Sequence, residues 1–320
     1  MGFDRQRSLL PPWERLFRHY RLLTPAYPAL LAARRLPEAD LLVTSSYAFA
    51  HHFRTRNDAP QLCYCYSPLR FAWSMTGDYA ARLPGGAPAR SLFRVLAAGI
   101  RAADRRAASR VTRYVAESHY VAAQLRQFYG VDADVVWPPV DCETFRPEGS
   151  GHDGYFLFSG RLIEPYKRPS LVVDAFRELP HRLIVAGDGP ELERLRRDAP
   201  ANVEFRGAVS TTELVRLMQR CAATVFPSRD DFGLVPVEAM ACGRPVLAYA
   251  GGGALETVVP GVTGEFFADQ TLDSLLGAIR RFEPDAYETA AIRAHAERFG
   301  VERFRQRITE IAHEVAQGRR

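Results

Sequence analysis

The sequence predicts an α/β protein that contains two parallel β-sheets. Short β-branched or aromatic segments alternate with longer helical segments along most of the 320 residues. This alternation is typical of parallel strands joined by right-handed helical crossovers. The segment 138–154 is rich in Pro and Gly and separates the alternation into two halves. Because a domain holds roughly 150 residues, the length also fits two Rossmann-like lobes.

The first half contains four segments of strand length and two longer segments rich in Ala, Leu and Arg. Length and composition predict β-strands at 40–46, 61–66, 111–117 and 133–137. The longer segments predict helices at 90–109 and 118–128, and Ser118 is the predicted N-cap of the second helix. We assign residues 1–140 to an N-terminal lobe.

Strands and helices alternate more regularly in the second half. The predicted strands are 155–159, 182–186, 203–206, 223–227, 246–249 and 264–267. The predicted helices are 168–178, 190–197, 211–220, 235–242 and 271–282. We assign residues 141–300 to a C-terminal lobe and 301–320 to a final helical segment. Open parallel sheets bind ligands beyond the carboxyl ends of their strands, so the candidate site lies in the loops there.

The composition is that of a globular protein, with 47% hydrophobic and 25% charged residues. It excludes intrinsic disorder and a collagen-like or coiled-coil chain. No apolar run reaches the roughly 18 residues of a membrane-spanning helix. Residues 1–21 carry five arginines and lack the apolar core of a signal peptide, so we expect a cytoplasmic protein. The spacing of the five cysteines predicts buried thiols and no metal ligands.

Charge is distributed unevenly along the chain. Residues 1–113 contain 18 Arg and 7 acidic residues, a net charge of +11, whereas the remainder carries −6. A basic first lobe predicts contact with an anionic partner, such as lipid head groups or a phosphorylated acceptor. A solvated, arginine-rich surface is the alternative. No nucleic-acid-binding motif accompanies the charge, so nucleic acid is not a predicted partner.

The first candidate loop follows the strand predicted at 155–159. Gly160 lets the backbone approach a ligand, and Arg161 and Lys167 flank the start of the next helix. Two cations at a helix N-terminus suit a diphosphate, because positive charge and free N–H groups act together there. Lys167 is the only lysine beside 41 arginines, which supports a specific role. An accidental surface lysine is the alternative.

Three further loops hold candidate residues. The turn at Gly187 is ordinary turn and capping sequence that needs no ligand to explain it. Asp230 lies in a polar loop and Glu238 on the helix after it, so the two carboxylates could hold a sugar and a ribose through their hydroxyl groups. A capped helix with a solvated face is the alternative. Gly252 and Gly253 begin another turn whose N–H groups could face phosphate.

These motifs together resemble the family 4 retaining glycosyltransferases of the GT-B fold. The similarity is carried by SGRL…YKR, GDGP, SRDDFGLVPVEAMACGRPVLAY, GGGALETVVPGVTGEFF and RAHAERFGVERF. The segments VVWPPVDCETFRP and YCYSPLRFAW are most similar to bacterial mannosyltransferases of surface-polysaccharide assembly, such as lipopolysaccharide. The resemblance runs from about residue 40 to residue 304. It implies two sheets that face each other across a cleft, and a final helix that returns to the first lobe.

The resemblance also implies roles for the candidate residues. Arg161 and Lys167 would hold the donor diphosphate and stabilise the leaving group. Asp230 would contact the donor sugar, and Glu238 the donor ribose. The implied nucleotide contacts also include Gly160, Gly187, Phe232, Gly233, Leu234, Val235, Gly252 and Gly253. Family members use no metal or other cofactor, because protein cations replace the metal, and the leaving diphosphate is the implied base.

The chain departs from the family's pattern in three places. Asp230 replaces the first Glu of an E-x7-E pair, and its shorter side chain would weaken the contact with the donor sugar. Tyr66 stands where the mannosyltransferases usually have His, and tyrosine cannot supply that proton chemistry near neutral pH. Relatives begin with a further strand–helix unit that carries a Gly-Gly-x-Glu turn. Residues 1–39 lack this turn, so the first lobe is predicted to be shortened at its N-terminus.

Arg70, Trp73 and Tyr66 are assigned to substrate binding on the cleft side of the first lobe, although Trp73 could equally belong to the core. The resulting prediction is a hexosyltransferase that moves mannose from GDP-mannose to a lipid-linked or saccharide acceptor. It would be peripheral to the inner face of the cell membrane. The alternative is a truncated or degenerate protein that binds a nucleotide sugar without catalysis. A nicotinamide-dependent oxidoreductase is excluded, because no G-x-G-x-x-G with a following acidic residue is present.

Overall fold

The computed structural model describes residues 24, 26–149 and 151–318. Its first part forms a lobe whose sheet has the strand order β2-β4-β5-β6, with all strands parallel, beside a separate pair, β1 and β3. The elements of this lobe, in chain order, are α1 (Tyr27–Ala33), β1 (Arg35–Leu36), β2 (Leu42–Ser46), β3 (Arg54–Thr55), β4 (Gln61–Cys65), α2 (Thr76–Ala81), α3 (Gly86–Ala108), β5 (Arg113–Ala116), α4 (His119–Tyr129) and β6 (Ala133–Val135).

The second lobe is built on a six-stranded parallel sheet with the order β12-β11-β10-β7-β8-β9. Its strands are β7 (Tyr155–Ser159), β8 (Arg182–Ala186), β9 (Val203–Gly207), β10 (Ala223–Phe226), β11 (Val246–Tyr249) and β12 (Gly264–Phe267). The helices that follow along the chain are α5 (Pro169–Arg177), α6 (Leu192–Arg197), α7 (Thr211–Arg220), α8 (Leu234–Ala241), α9 (Ala254–Thr257), α10 (Leu272–Arg281), α11 (Thr289–Ala296) and α12 (Val301–Ala316).

Successive side chains of a strand point to opposite faces of the sheet, and apolar side chains on both faces form a core. In the first lobe, Cys63 and Tyr114 face α3 and α4, whereas Leu62, Tyr64 and Val115 face α12. The central strands of the second lobe divide in the same way: one face packs against α5 and α10 and the other against α7 and α8. Burial on both faces explains why these strands are almost continuously apolar.

Two chain segments connect the lobes, and they lie side by side. Val140 bridges Gly300 in a parallel arrangement, and the Val140 N–H donates to the Phe299 carbonyl at 2.9 Å. After Gly300 the chain returns to the first lobe as α12, where Ile311 and Val315 are fully buried against the first sheet. The domain limits predicted at residues 140 and 300 stay predictions.

The predicted α/β fold with two Rossmann-like lobes is confirmed, and most strand bounds agree within two residues. The helix predicted at 90–109 begins earlier, at Gly86, and the short elements α1, β1, β3 and α2 were not predicted. The predicted shortening concerns residues 1–39, of which 1–23 and 25 lie outside the described residues. All five cysteines are free and four are buried, as predicted. Among the described helices, none has the length and apolar character to cross a bilayer.

Candidate active site

The second sheet has its topological switch point between β7 and β10. These strands are neighbours, but the chain runs from β7 outward to β9 before it returns to β10 on the other side. At such a point the loops after the two strands diverge and leave a crevice at the carboxyl edge of the sheet. The loops of this crevice are 160–168 after β7 and 227–233 after β10, and they carry half of the predicted donor-site residues.

Backbone packs directly against backbone at the floor of this crevice. A Cβ at Gly187 would lie 1.8 Å from the Gly160 carbonyl oxygen, and the Gly160 N–H donates to the Ala186 carbonyl at 3.0 Å. The φ angles are +141° at Gly160 and +157° at Gly187, values that residues with a side chain rarely adopt. The turns therefore require glycine to pack together, whatever ligand they meet. Arg161, directly after Gly160, is exposed, and no described residue pairs with its guanidinium.

Lys167 and Asp230 meet across the crevice. The Lys167 ammonium pairs with Asp230 Oδ2, and its Nζ lies 5.9 Å from the centre of the Phe226 ring. The other oxygen, Asp230 Oδ1, is buried without a hydrogen-bond partner among the described residues. Such an acceptor is costly to leave unpaired. The pair therefore joins the predicted diphosphate cation to the predicted sugar carboxylate and leaves one acceptor free.

The N-terminus of α5 is partly occupied by the protein itself. Glu164 Oε1 accepts a hydrogen bond from the Ser170 N–H, at 3.1 Å, in the first turn of the helix. The prediction of free N–H groups for a diphosphate at this helix is therefore wrong for Ser170. The N–H group of Gly253, in the turn before α9, was also predicted to face phosphate. This prediction is wrong, because the Gly253 N–H donates to the Asp230 carbonyl at 2.9 Å.

Glu238 lies on α8, which begins after Gly233 at Leu234. No described residue forms a hydrogen bond or ion pair with its carboxylate. Burial raises the pKa of Glu238 to about 7, because a charged carboxylate is poorly solvated there. A half-buried acceptor without a protein partner suits a pair of ligand hydroxyl groups. Leu234 is exposed and Val235 is half-buried on the same first turn.

The side chain of Phe232 belongs to the core, so its predicted contact with the nucleotide could be made only through its backbone. Its side chain is 2% exposed and packs against Phe299 with ring centres 5.8 Å apart. The backbone of Phe232 packs against Gly253, where an added Cβ would lie 2.3 Å from Phe232 Cα. Gly252 packs in the same way against Asp230, where an added Cβ would lie 2.2 Å from the carbonyl oxygen. Gly252 and Gly253 therefore pack closely against the loop 227–233, which carries Asp230.

The three predicted substrate residues of the first lobe lie in different places. Arg70 is in the cleft: its Nε donates to Asp231 Oδ2 at 3.0 Å, and its guanidinium lies over the Tyr166 ring at 5.0 Å. Tyr66 follows β4 at the carboxyl edge, is 38% exposed, and its hydroxyl accepts a hydrogen bond from Ser45.

Trp73 does not face the cleft, so its prediction as a substrate contact is wrong and the core alternative holds. Its indole N–H donates to Asp104 Oδ2 at 2.8 Å, and its ring stacks on Phe128 with centres 5.1 Å apart. Both partners lie on helices that cover the first sheet. An aromatic side chain whose polar atom finds a buried acceptor is stable in such a core.

The sequence did not indicate that Asp231 and Glu256 join the lobes. Asp231 is buried, pairs with Arg70, and its carbonyl accepts a hydrogen bond from the Ser118 hydroxyl at 2.6 Å. Ser118 also caps α4 as predicted, accepting from the Val121 N–H. Both oxygens of Glu256 accept backbone N–H groups of the first turn of α4, at 2.9 Å each. This turn has no acidic residue of its own, which is the one signal for an external partner.

Glu117 is a further cleft residue that sequence reasoning missed. It directly follows β5, is 9% exposed, and no described side chain forms a hydrogen bond with it. Burial, with the added repulsion of Asp231, Asp230 and Glu256, raises its pKa to about 8, although Arg70 opposes the shift. The group is therefore mostly protonated at neutral pH and can donate a hydrogen bond into the cleft.

Two solved structures share this architecture. Sucrose-phosphate synthase of Thermosynechococcus elongatus superposes with a TM-score of 0.71 at 21% identity, over 97% of this chain and 81% of the other. HepE of Anabaena, solved in complex with UDP, has a TM-score of 0.60 at 19% identity, over 86% of this chain and 99% of the other. The chain therefore has the GT-B fold, with two Rossmann-like lobes.

The sequence comparison identifies the second lobe more closely. The sequence model of the family Glycosyl transferases group 1 matches residues 143–299. A D-inositol 3-phosphate glycosyltransferase of Frankia alni is 37% identical over 205 residues, 52% of this chain and 50% of that protein. One from Catenulispora acidiphila is 32% identical over 245 residues, 65% and 58% of the two chains. The match to this family model therefore lies within the second lobe, and the chain spans about half the length of the curated relatives it matches.

Proposed function

We propose that the protein transfers a hexose from a nucleotide-sugar donor bound in the crevice of the second lobe. The observation that carries this proposal is the set of three ionisable groups around that crevice. Lys167 and Asp230 lie on the loops after β7 and β10, and Glu238 lies on the helix that follows. A cation for the diphosphate and two carboxylates for hydroxyl groups are the groups that a nucleotide sugar needs.

In the proposed reaction Lys167 leaves Asp230 when the donor enters and binds the diphosphate together with the exposed Arg161. Asp230, freed from its cation, then accepts hydrogen bonds from hydroxyl groups of the sugar. Glu238 accepts those of the ribose. As the glycosidic bond breaks, Lys167 and Arg161 stabilise the charge that develops on the diphosphate, so no metal is needed for this step. The leaving phosphate oxygen takes the proton of the acceptor hydroxyl, and the configuration of the sugar is retained.

The proposed donor is GDP-mannose and the proposed acceptor a lipid-linked or other saccharide. The donor rests on the similarity of YCYSPLRFAW and VVWPPVDCETFRP to mannosyltransferases. The named relatives act on a phosphorylated acceptor and the HepE structure holds UDP, so UDP-linked donors are the alternative. A phosphate-bearing acceptor would suit the basic first lobe, in which Arg70 already lies in the cleft.

We also propose that the first lobe contacts an anionic membrane surface from the cytoplasmic side. On α3 the side chains of Leu92, Val95 and Leu96 are 61%, 67% and 41% exposed. Arg90 and Arg94 lie on the same helix. Exposed apolar groups among arginines are typical of a surface that binds anionic lipid.

A second candidate function is nucleotide-sugar binding without transfer. It is favoured by Tyr66, which takes the place of the expected histidine and whose hydroxyl accepts a hydrogen bond from Ser45. The shorter Asp230 favours it as well. Both functions need the donor site, and only a transferase consumes the donor. Release of GDP or UDP from the corresponding nucleotide sugar, with and without a saccharide acceptor, separates the two.

The experiment that tests the donor site is a thermal-shift series with GDP, UDP and ADP. At a nucleotide concentration near one hundred times Kd, we expect one of them to raise Tm by about 5 °C. The Lys167→Ala variant should lose this shift. Arg177→Ala, which removes an exposed cation at the far end of α5, should keep it. A chain that no nucleotide stabilises would contradict the proposed function.

A further inference from the structure

Two adjacent histidines and an aspartate meet in the interior of the first lobe. His51 and His52 lie in a short 3-10 turn between β2 and β3, and Asp104 lies on α3. They are 3%, 5% and 0% exposed. His51 Nε2 lies 2.8 Å and His52 Nε2 3.1 Å from the same oxygen, Asp104 Oδ1. Three potential ligand atoms therefore converge on one point without any cysteine.

Hydrogen bonds alone do not satisfy this cluster. His52 Nε2 is within hydrogen-bond geometry of Asp104 Oδ1, but His51 Nε2 is not aligned with it and is buried without any hydrogen-bond partner among the described residues. A buried polar nitrogen left without a partner destabilises a folded protein, because it has lost its hydrogen bonds to water. A ligand that accepted the lone pairs of both rings would remove this cost.

We propose that His51 Nε2, His52 Nε2 and Asp104 Oδ1 bind one Zn²⁺ ion. The three atoms lie within 4.8 Å of one another, and the two nitrogens are 2.8 Å and 3.1 Å from Asp104 Oδ1. Tetrahedral Zn–N and Zn–O bonds of about 2.0–2.2 Å require about 3.3–3.6 Å between ligand atoms, so each ring moves away from the carboxylate by about half an ångström when the ion enters. Two imidazoles and one carboxylate favour zinc over Mg²⁺ or Ca²⁺, which prefer oxygen ligands.

The groups around the three ligands already hold the carboxylate in position. The second oxygen, Asp104 Oδ2, accepts hydrogen bonds from the Trp73 indole N–H at 2.8 Å and from the Tyr129 hydroxyl at 2.6 Å. Outer contacts of this kind orient the first ligands of metal sites and leave one oxygen free for the ion. They also give Trp73 a reason to face the core.

A cavity of about 470 Å³ reaches both histidines and can admit an ion and a water ligand. It is lined by apolar side chains of α1 and α3 and by Arg54, Arg106 and Arg110. These arginines oppose a cation, so the affinity depends on the single negative charge of Asp104 and on the geometry of the two rings.

The proposed zinc site is separate from the sugar-transfer cleft. Gln61, at the start of β4, donates to the His51 carbonyl at 3.5 Å, whereas the cleft lies beyond the other end of the strand, after Cys65. A metal ion here would join the 3-10 turn to α3 and stabilise the first lobe. The inference does not depend on the proposed function.

The test uses the full chain without a histidine tag, stripped with EDTA and dialysed. After addition of Zn²⁺ and gel filtration, we expect elemental analysis to find about one ion per chain, and Zn²⁺ to raise Tm by about 5 °C. His52→Gln should retain less than about a tenth of this zinc. His295→Gln, which changes a half-buried histidine of the second lobe, should bind as the unmodified chain does. Mg²⁺ should have no effect.

Two results would overturn the inference: an unmodified chain that keeps no zinc, or a His52→Gln chain that keeps as much as the unmodified one. Should His52→Gln fail to fold, Co²⁺ added to the unmodified chain decides. Visible absorption bands that disappear on addition of Zn²⁺ would support the site. Their absence would show that Asp104 serves only as an acceptor for the hydrogen bonds of His52, Trp73 and Tyr129.

Discussion

The two lobes form the edges of the cleft in different ways. The second lobe uses glycine turns whose backbones touch, with Gly187 on Gly160 and Gly252 on Asp230. The first lobe uses side chains that reach across, among them Arg70 and Ser118, which both bind Asp231. The difference shows that close backbone packing positions the loops of the second lobe, whereas hydrogen bonds and ion pairs position the side chains of the first lobe. Substitutions in the second lobe should therefore destabilise the protein by adding volume at the glycine turns. Substitutions in the first lobe should destabilise it by removing a hydrogen-bond or ion-pair partner.

The most damaging change should be Gly253→Ala. The φ of Gly253 is ordinary for any residue, at −69°, so the substitution tests only the close approach to Phe232. We expect a loss of about 2–4 kcal/mol in the free energy of unfolding, measured by urea denaturation, and a loss of nucleotide binding. Gly77→Ala, on α2 with no atom within 4 Å of the new Cβ, should be neutral or stabilising. Equal effects at the two positions would contradict the argument from volume.

Pairing across the cleft can be measured with Arg70→Met, Asp231→Asn and the double variant. Asp231 is buried, and we expect a coupling free energy of about 1–3 kcal/mol. The matched pair is Arg126 with Asp132, whose side chains are 76% and 82% exposed, and its coupling should be below about 0.5 kcal/mol. A coupling at Arg70 no larger than that of the exposed pair would show that the lobes do not depend on this contact.

The pH dependence of nucleotide binding should report on Glu238. The folded chain keeps a proton on Glu238 up to a pH of about 7, whereas an ordinary glutamate loses it near 4.5. Stability contributed by this group is thus greatest at low pH and falls as the pH rises from 4.5 to about 7. Ribose hydroxyls prefer the ionised acceptor, so affinity should change in the opposite sense. We expect Kd for the bound nucleotide to fall about tenfold between pH 6 and pH 8, measured by calorimetry.

The matched variant for this measurement is Glu238→Gln. It cannot ionise, so any pH dependence that remains belongs to the other groups that titrate in this range, the phosphate groups of the nucleotide and Glu117. An identical pH profile in the two chains would contradict the assignment of Glu238 to the ribose.

A smaller effect is expected for Glu256→Gln, which changes the contact between α9 and the first turn of α4. The amide keeps one acceptor but loses the negative charge that the helix N-terminus favours. The free energy of unfolding should fall by about 0.5–1 kcal/mol. Glu302→Gln, in the exposed first turn of α12, should cost less, because its contact is solvated. A greater loss at Glu302 would show that interlobe capping is unimportant.

Sequence reasoning served the second lobe better than the first. Its strands are buried on both faces and bounded by glycine turns, so their composition predicts them directly. In the first lobe, β1 and β3 have two residues each, and such short pairs leave no periodicity to detect. The helix α2 has six residues and only one buried side chain, Ala80, so it lacks the apolar stripe that predicts a helix.

Within the site, local patterns predicted the loops but not what their groups contact. Lys167, Asp230 and Glu238 were identified from types of residue at strand and helix ends. The pairing of Lys167 with Asp230, the buried Asp231 and the capping of α4 by Glu256 join residues far apart in the sequence. Trp73 was misplaced because its partner, Asp104, is brought to it only by the packing of α3.

The return of α12 also bears on how the protein is made. The face of the first sheet formed by Leu62, Tyr64 and Val115 is covered by Ile311 and Val315, which the ribosome adds only after the entire second lobe. Domains tend to fold as units during synthesis. The second lobe is continuous and can complete its core first, whereas the first lobe must hold an open apolar face until α12 emerges. The lobe that is translated first is therefore the one whose folding is completed last.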